Sequence, residues 1–270
     1  MNIGIIGLGF LGGSMERYFC GEGKPLFLYD KKGIGSPEEV NKADMVFICV
    51  NTPYDQHKKD INLSYVESAV EALTGEKIVV LRSTIPPGTT DRLQARHPQH
   101  TFLFNPEFLR AKFAFEDFTA PPRQVVGYTL KSKDAARTLI GLLPKAPQEF
   151  TTVVPAKSAE LLKYASNTAL AARVALANKL FEFSEALGIN YDEIKGLLAA
   201  DSRIGGWGFD IWYEGFRGYS GTCFPKDVRT LIALGKKVNV NMNWLEALDD
   251  ENLALIRTQG LEPDYGHPKV

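Results

Sequence analysis

Short apolar runs alternate with amphipathic helical stretches through the first half of the chain. Apolar positions recur on one helical face in residues 11–20, 63–73 and 133–143. The apolar runs lie at residues 2–6, 26–29, 45–50, 77–81, 101–104 and 124–128. Strands that alternate with helices are typical of a parallel sheet wound with helices. The pattern therefore predicts an α/β fold with a doubly wound parallel sheet.

The pattern changes near Pro155. Residues 156–187 are rich in alanine and leucine and carry no strand signal, and further helical stretches follow at residues 192–200, 227–234 and 244–258. We therefore predict two domains, an α/β domain over residues 1–153 and an all-helical domain over residues 154–270. Residues 201–221, rich in glycine and aromatic side chains, are expected to form a long loop. The tail after Gly260 is expected to fray.

Length and charge narrow the class of protein. The 270 residues suit two domains of ordinary size. A formal net charge of -1 gives no electrostatic signature of binding to nucleic acid or to an anionic membrane. The first apolar run lacks a basic leader and is too short to span a bilayer. We expect a cytoplasmic protein that binds neither nucleic acid nor membrane.

The cysteines are few and irregularly spaced. Cys20, Cys49 and Cys223 are an odd number, so the sequence predicts neither a disulfide framework nor a zinc site. Cysteines that are not expected to form disulfides fit a reducing compartment. Cys20 and Cys49 are expected to be small buried hydrophobic side chains.

A glycine motif opens the chain. Gly7, Gly9 and Gly12 form a G-x-G-x-x-G directly after a predicted strand and at the start of a predicted helix. The first glycine permits a tight turn, the second lets the backbone approach a pyrophosphate, and the third lets helix and strand pack closely. The amides of Phe10 and Leu11, at the helix N-terminus, are expected to lie under the pyrophosphate. The motif predicts a Rossmann-type dinucleotide site.

An acid stands near the expected distance from this motif. Asp30 ends the second predicted strand, where a carboxylate accepts hydrogen bonds from the adenosine ribose and repels a 2′-phosphate. NAD is therefore favoured over NADP as the cofactor. Lys31 and Lys32 follow directly and could accommodate that phosphate, although a lysine pair in a turn is more often only solvated surface charge.

The second half carries two polar clusters. Lys163 and Asn167 are four residues apart and share a face of the predicted helix. Cys223 and Asp227 share a face in the same way if a helix begins after the cysteine. An ammonium, an amide, a thiol and a carboxylate could thus converge, although Lys163 and Asn167 alone would also suit an exposed polar stripe.

Six segments in order match one enzyme family. They read GLGFLG near the start, FICVNTP at 47–53, STIPPGTT at 83–90, FNPEFLR at 104–110, AELLKYASNT at 159–168 and GTCFPKD at 221–227. On these segments the chain resembles the UDP-glucose and GDP-mannose dehydrogenases. Six ordered matches over most of the chain are far more specific than any single motif.

The resemblance implies a set of catalytic residues. Cys223 would be the nucleophile, with Lys163, Asn167 and Asp227 beside it. Thr84 and Glu107 would face the same cleft and order water and substrate oxygens. The residues that the resemblance places against cofactor or substrate are Thr52 and Thr84 for NAD, and Phe108, Leu109, Gly221 and Arg203 for the sugar nucleotide, with Arg203 reaching the substrate of a neighbouring subunit.

The implied chemistry is a four-electron oxidation. A first hydride transfer turns a primary alcohol into an aldehyde, the Cys223 thiolate traps it as a thiohemiacetal, and a second transfer gives a thioester that water hydrolyses. Lys163 and Asn167 would stabilise the oxyanion, and Asp227 or Glu107 would act as base. A two-electron β-hydroxyacid dehydrogenase and a non-catalytic module that needs a partner chain remain as alternatives.

Three further expectations follow. Members of the family continue beyond Asn252 into another domain that helps to bind the nucleotide, so this chain is expected to lack that domain. The apolar run at residues 156–187 is expected to form a homodimer. The aromatic side chains of the long loop are expected mostly to pack it on the body, and a wall for a base or sugar is the alternative; they are Trp207, Phe209, Trp212, Tyr213, Phe216 and Tyr219.

Overall fold

A computed structural model of the protein describes residues 1–263. Its strands are β1 (Ile3–Ile6), β2 (Leu26–Asp30), β3 (Ile34–Gly35), β4 (Met45–Ile48), β5 (Tyr54–Asp55), β6 (Asp60–Ile61), β7 (Ile78–Leu81), β8 (Thr101–Phe104), β9 (Gln124–Tyr128) and β10 (Thr151–Pro155). Its helices are α1 (Phe10–Gly21), α2 (Pro37–Val40), α3 (Ser64–Glu71), α4 (Thr89–Arg96), α5 (Ala114–Thr119), α6 (Lys133–Leu142), α7 (Ala156–Leu187), α8 (Tyr191–Ala200), α9 (Phe224–Lys237) and α10 (Asn243–Arg257). The predicted fraying after Gly260 falls mostly outside the described residues.

Eight of these strands form one mixed sheet. Their order is β10-β9-β8-β7-β4-β1-β2-β3, and the pairs from β2 through β1, β4 and β7 to β8 are all parallel. Strand β9 pairs antiparallel with β8, and β3 pairs antiparallel with β2. Helices connect the parallel strands, so the predicted α/β class is confirmed. Strands β5 and β6 form a separate antiparallel hairpin.

The described chain forms two compact units. The first comprises Met1–Thr52 and Asn62–Lys163, and the second comprises Pro53–Ile61 and the chain from Tyr164 onward. Helix α7 therefore begins in one unit and continues in the other. The division at residues 153 and 154 stays a prediction, whereas this grouping also assigns the β5–β6 hairpin to the second unit.

The core of the first unit covers both faces of the sheet. Along β4, Val46 and Ile48 belong to one apolar cluster, and Met45 and Phe47 belong to another. All four side chains are fully buried. Strands buried on both faces read as continuous apolar runs, which is why this part of the sheet was legible in the sequence.

The second unit has its own, smaller core. Helix α9 contributes Val228 and Ile232, and α10 contributes Leu245. Ala171 of α7 and Tyr219, from the segment before α9, complete the contact. None of the helices in residues 1–263 is long and apolar enough to cross a membrane.

The two cysteines of the first unit differ in environment. Cys20 is exposed near the end of α1, so the prediction that it is buried was wrong. Helix ends leave side chains on the outer face accessible, and sequence alone does not fix the helical phase of the last turn. Cys49 is only partly exposed as a residue, and burial of its thiol raises the pKa to about 12.

Candidate functional site

The glycine motif forms a tight turn between β1 and α1. Gly7 has φ of +90°, a conformation that side chains other than glycine rarely adopt. A Cβ on Gly12 would lie 1.9 Å from the Gly7 carbonyl oxygen, so helix and strand could not pack as closely with any other residue. Apart from Gly9 and its two chain neighbours, no described residue has an atom within 4 Å of a Cβ built on Gly9. The open space above Gly9 and the amides that begin α1 at Phe10 fit a pyrophosphate.

Asp30 lies beside this turn. Its Oδ2 accepts a hydrogen bond from the Leu8 amide at 2.7 Å, and its Oδ1 accepts one from the Lys32 amide at 2.9 Å. The parallel pairing of β2 with β1 brings the end of β2 next to the glycine turn. Lys31 and Lys32 are both exposed, and the Lys31 ammonium lies 5.9 Å from the centroid of the Tyr65 ring. A carboxylate therefore stands nearest the turn.

Thr52 and Thr84 lie a few residues beyond the carboxyl ends of β4 and β7. The Thr52 hydroxyl donates a hydrogen bond to the Thr84 carbonyl oxygen at 2.8 Å. Carboxyl ends of parallel strands are where open α/β sheets bind their ligands. The structure thus joins two of the residues expected to face the cofactor.

Glu107 and Lys163 form a buried ion pair within the first unit. The Lys163 ammonium donates to Glu107 Oε1 at 2.7 Å and to the Glu107 carbonyl oxygen at 2.8 Å. Burial would raise the pKa of Glu107, but the Lys163 ammonium and a hydrogen bond from the Leu109 amide hold that pKa below its ordinary value. Glu107 is therefore ionised at neutral pH.

Two cations lie close to the ring of Phe108. The Arg123 guanidinium lies 3.7 Å from the ring centroid, and the Lys163 ammonium lies 5.7 Å from it. Both distances are within the range of a cation–π contact. The Leu109 amide donates to Glu107 Oε2 at 2.8 Å, so the backbone of Phe108 and Leu109, which was expected to meet the substrate, lies beside the Glu107–Lys163 pair.

Cys223 stands at the N-terminus of α9 in the second unit. Helix α9 starts at Phe224, with Pro225 in its first turn, a position that suits proline because no N–H is needed there. The Asp227 amide donates to the Cys223 carbonyl oxygen at 2.9 Å, so the two residues lie one helical turn apart. This confirms the condition under which Cys223 and Asp227 share a face.

Asp227 is fully buried and has two side-chain partners. The Asn167 amide donates to its Oδ2 at 2.5 Å, and the Lys226 ammonium pairs with its Oδ1. Lys226 is itself buried. Sequence reasoning missed Lys226; its adjacency to Asp227 gave a charge pair, but neighbours in a helix rarely contact each other.

Lys163 and Asn167 follow each other by one turn of α7, yet each contacts an acid of its own unit. Lys163 binds Glu107, and Asn167 binds Asp227. Neither is part of an exposed polar stripe, because both side chains are buried. The interpretation of Lys163 and Asn167 as an exposed polar stripe is therefore wrong.

Arg203 and Gly221 lie in the long loop. The Arg203 side chain is 87% exposed and pairs with Asp201 at 2.6 Å. Gly221 has φ of +77°, which allows the turn into the segment that carries Cys223. Neither residue takes part in the Asn167–Asp227 or the Lys226–Asp227 hydrogen bond.

The aromatic residues of the loop divide into two groups. Phe209 and Tyr219 are buried and Phe216 is partly buried, as expected for side chains that pack the loop on the body. Trp207, Trp212 and Tyr213 are 48%, 61% and 56% exposed. Packing of the loop on the body therefore does not account for these three side chains.

Two residues of α10 that sequence reasoning missed hold the segment before Cys223. Asn252 accepts from the Tyr219 amide and donates to the Tyr219 carbonyl oxygen, both at 2.8 Å. Asp249 accepts from the Tyr219 hydroxyl at 2.7 Å. Burial raises the pKa of Asp249, against the opposing effects of Tyr219 and Arg229. The signal in the sequence was the spacing of Asp249 and Asn252, which are three residues apart and therefore share one face of α10.

Comparison with known proteins agrees with these features. Residues 34–141 match the NAD binding domain of the UDP-glucose/GDP-mannose dehydrogenase family. Residues 157–254 match the central domain of the same family. The cofactor of the first unit is therefore NAD, as the sequence predicted.

Curated relatives are matched over most of this chain. UDP-glucose 6-dehydrogenase of Rickettsia conorii is 32% identical over 223 residues, which cover 79% of this chain and 50% of the relative. UDP-glucose 6-dehydrogenase of Rhizobium meliloti is 34% identical over 208 residues, which cover 72% of this chain and 46% of the relative. The chain thus spans about half the length of the curated relatives it matches.

Solved structures show the same fold. A UDP-glucose dehydrogenase from Pyrobaculum islandicum superposes with a TM-score of 0.80 at 27% identity, covering 95% of this chain and 68% of that one. A UDP-D-ManNAc dehydrogenase from Pyrococcus horikoshii gives a TM-score of 0.83 at 20% identity, covering 96% of this chain and 70% of that one. At that identity the second likeness concerns the fold alone.

Proposed function

Because the chain belongs to the UDP-glucose/GDP-mannose dehydrogenase family, we propose that it oxidises the primary alcohol of a UDP-glucose-like nucleotide sugar to the carboxylate. The observation that supports this most is the position of Cys223 one helical turn before buried Asp227, which Asn167 binds. A thiol in that setting is suited to covalent catalysis, whereas a two-electron dehydrogenase needs no nucleophile.

The cofactor is held by the first unit. The turn at Gly7, Gly9 and Gly12 and the amides of Phe10 and Leu11 would receive the pyrophosphate, since Gly9 leaves the backbone open. The carboxylate of Asp30 would accept from the ribose hydroxyls, and Thr52 and Thr84 would lie against the cofactor as well. When bound, NAD accepts one hydride in each of two oxidation stages.

The covalent intermediates all form at the sulfur of Cys223. The Cys223 thiolate adds to the aldehyde carbon, and the resulting oxyanion takes up a proton to give a thiohemiacetal. Loss of a hydride from that carbon and of a proton from its hydroxyl oxygen leaves a thioester. Water then adds to the acyl carbon, the carbon–sulfur bond breaks, and the acid and the thiolate are released. Overall, one alcohol, two NAD and one water give one carboxylate, two NADH and three protons.

The polar residues have distinct roles in these steps. Lys163 and Asn167 would stabilise the oxyanion, because a preorganised ammonium and amide need no reorganisation during the reaction. Glu107 is ionised and can take a proton from the attacking water, and Asp227 is the alternative base. The backbone of Phe108, Leu109 and Gly221 would bind the sugar.

The decisive test counts NADH per sugar. Wild-type protein is given a panel of UDP- and GDP-sugars, and both NADH and the oxidised product are quantified. Two NADH per carboxylate are expected, and Cys223→Ser should lose steady turnover because an oxygen ester would form and hydrolyse far more slowly. Cys20→Ser is the matched control and should keep full activity, since Cys20 is an exposed residue of another element.

The two alternatives give different results. One NADH per substrate together with an undiminished Cys223→Ser variant would indicate a two-electron dehydrogenase. Inactivity of the wild type towards every nucleotide sugar would indicate a module that needs a partner chain. Either result contradicts the proposal.

We also propose that the protein is a homodimer. Leu176, Phe183 and Leu187 are spaced by seven and four residues on α7, share one face, and are 52%, 66% and 68% exposed. Large apolar side chains in one exposed stripe usually mark an interface. Arg203, also exposed, would then reach the substrate of the neighbouring subunit.

Analytical ultracentrifugation tests this. The wild type should sediment as a dimer and Phe183→Glu as a monomer, because a charge at the centre of an apolar interface is not compensated. Glu185→Gln, an exposed neighbour on the same helix, is the control. A wild type that is monomeric at every concentration would contradict the dimer.

A further inference from the structure

Glu160 is a fully buried carboxylate that the proposed chemistry does not use. It lies on α7, one turn before Lys163, within the first unit. Its Oε2 accepts from the Gly88 amide at 2.5 Å. Its Oε1 accepts from the Thr90 amide at 2.8 Å and from the Thr90 hydroxyl at 2.6 Å. Both carboxylate oxygens are therefore bound to one short stretch of backbone.

That stretch is the start of α4. Gly88 is the residue before the helix and has φ of +91°, so it enters the helix in a left-handed conformation and offers no side chain to cap it. The first amides of a helix have no partner inside the helix, and a side-chain acceptor usually serves them. Here the acceptor comes from another helix, and its negative charge also suits the positive end of the α4 dipole.

The loop before α4 carries Thr84 and is held at both ends. Near β7, the Thr52 hydroxyl donates to the Thr84 carbonyl oxygen at 2.8 Å, and the Ser83 hydroxyl donates to the Val50 carbonyl oxygen at 2.6 Å. At the α4 end, Glu160 holds Gly88 and Thr90. Residues 83–88 are therefore tied by hydrogen bonds to the segment after β4 at one end and to Glu160 of α7 at the other.

A carboxylate is costly to bury, and an apolar side chain would fill the same space at lower cost. Burial indeed raises the pKa of Glu160, although the Thr90 and Gly88 hydrogen bonds oppose that effect. An apolar residue, however, could not fix two backbone amides at a set separation. The arrangement is suited to positioning rather than to stability alone.

We infer that Glu160 is a positioning residue that holds the Thr84 loop in the conformation that binds NAD. It acts through the amides of Gly88 and Thr90 and touches neither substrate nor cofactor. Lys163 lies on the next turn of α7 and binds Glu107. The first turns of α7 therefore contact both the Thr84 loop and the segment that contains Glu107. The inference deepens the proposed function and rests on it through the cofactor site.

The test measures NAD affinity by calorimetry in Glu160→Gln. Glutamine keeps one oxygen acceptor, but its amide nitrogen would face the Gly88 amide, so one charge-assisted hydrogen bond is replaced by two opposed donors. We expect the Kd for NAD to rise about tenfold. Thr90→Val keeps the carboxylate and both backbone hydrogen bonds, and its Kd should stay near that of the wild type.

Glu185→Gln, an exposed glutamate farther along α7, is the control for removing one charge from that helix. A Glu160→Gln variant that folds, shows a lower unfolding temperature and binds NAD as the wild type does would overturn the inference, because Glu160 would then be only structural. If Glu160→Gln does not fold, amide exchange in the wild type decides. NAD should slow the exchange of the Gly88 and Thr90 amides, and unchanged exchange would overturn the inference.

The two proposals fail in different ways. A wild type that binds NAD but oxidises no nucleotide sugar contradicts the proposed function, while the affinity of Glu160→Gln still decides the positioning role. A wild type that does not bind NAD contradicts both.

Discussion

The Lys163 ammonium binds Glu107 twice, at the side-chain Oε1 over 2.7 Å and at the carbonyl oxygen over 2.8 Å. One cation therefore fixes both the backbone and the carboxylate of a single residue. Both side chains are largely excluded from solvent, at 5% and 11% exposure. Where water is excluded, removal of either partner is strongly destabilising, because it leaves the charge of the other buried and unpaired.

Removal of Lys163 should strongly destabilise the first unit. Lys163→Met leaves the Glu107 carboxylate buried without its cation, and the free energy of unfolding is expected to fall by about 3–5 kcal/mol. Urea denaturation followed by fluorescence measures this. Lys157→Met, an exposed lysine at the start of the same helix, should change the free energy of unfolding little. If Lys163→Met behaves like Lys157→Met, the pair does not stabilise the fold.

Glu107 should contribute a pH-dependent stability. Because its pKa is lower in the folded protein than its ordinary value of 4.5, its contribution is fully present above that value and is lost as the pH falls through the folded pKa. The difference in free energy of unfolding between wild type and Glu107→Gln should therefore be largest near neutral pH and shrink below about pH 4.5. A difference that grows on acidification would show that the pKa of Glu107 is raised instead.

Cys20 and Cys49 should differ in reactivity towards iodoacetamide. Cys20 is exposed, whereas burial raises the pKa of Cys49 to about 12, so almost none of that thiol is ionised at pH 8. In a Cys223→Ser background, we expect Cys20 to be alkylated at least about 100-fold faster than Cys49. Mass spectrometry of tryptic peptides gives both rates. In urea the two rates should converge, and equal rates in the native protein would contradict the burial of Cys49.

Asp30 should set the choice of cofactor. Asp30→Ala removes the charge that repels a 2′-phosphate, so the ratio of NADP to NAD affinity should rise by about tenfold. Calorimetry with both cofactors measures the ratio. Glu22→Gln, an exposed acid just after α1, is the control for net charge. If Lys31→Ala changes the ratio and Asp30→Ala does not, the lysine pair rather than the acid recognises the ribose.

The sequence determined the elements whose signal is local. Helix α7 has the predicted bounds of residues 156–187, because an apolar periodicity needs only neighbouring residues to be read. The parallel strands in the middle of the sheet were legible for the same reason, since burial on both faces makes them continuous apolar runs. Strand β10 was missed because it lies at the sheet edge, where its side chains are half-buried or exposed and leave no such run.

Only the tertiary structure decided which polar groups pair. The spacing of four residues placed Lys163 beside Asn167 and Cys223 beside Asp227, but Lys163 binds an acid 56 residues away and Asn167 binds one 60 residues away. The three hydrogen bonds to Glu160 likewise span 70 residues or more. Helical spacing fixes which side chains share a face, whereas the partner of a buried charge depends on which chain segments pack around it, because an unpaired charge cannot stay buried.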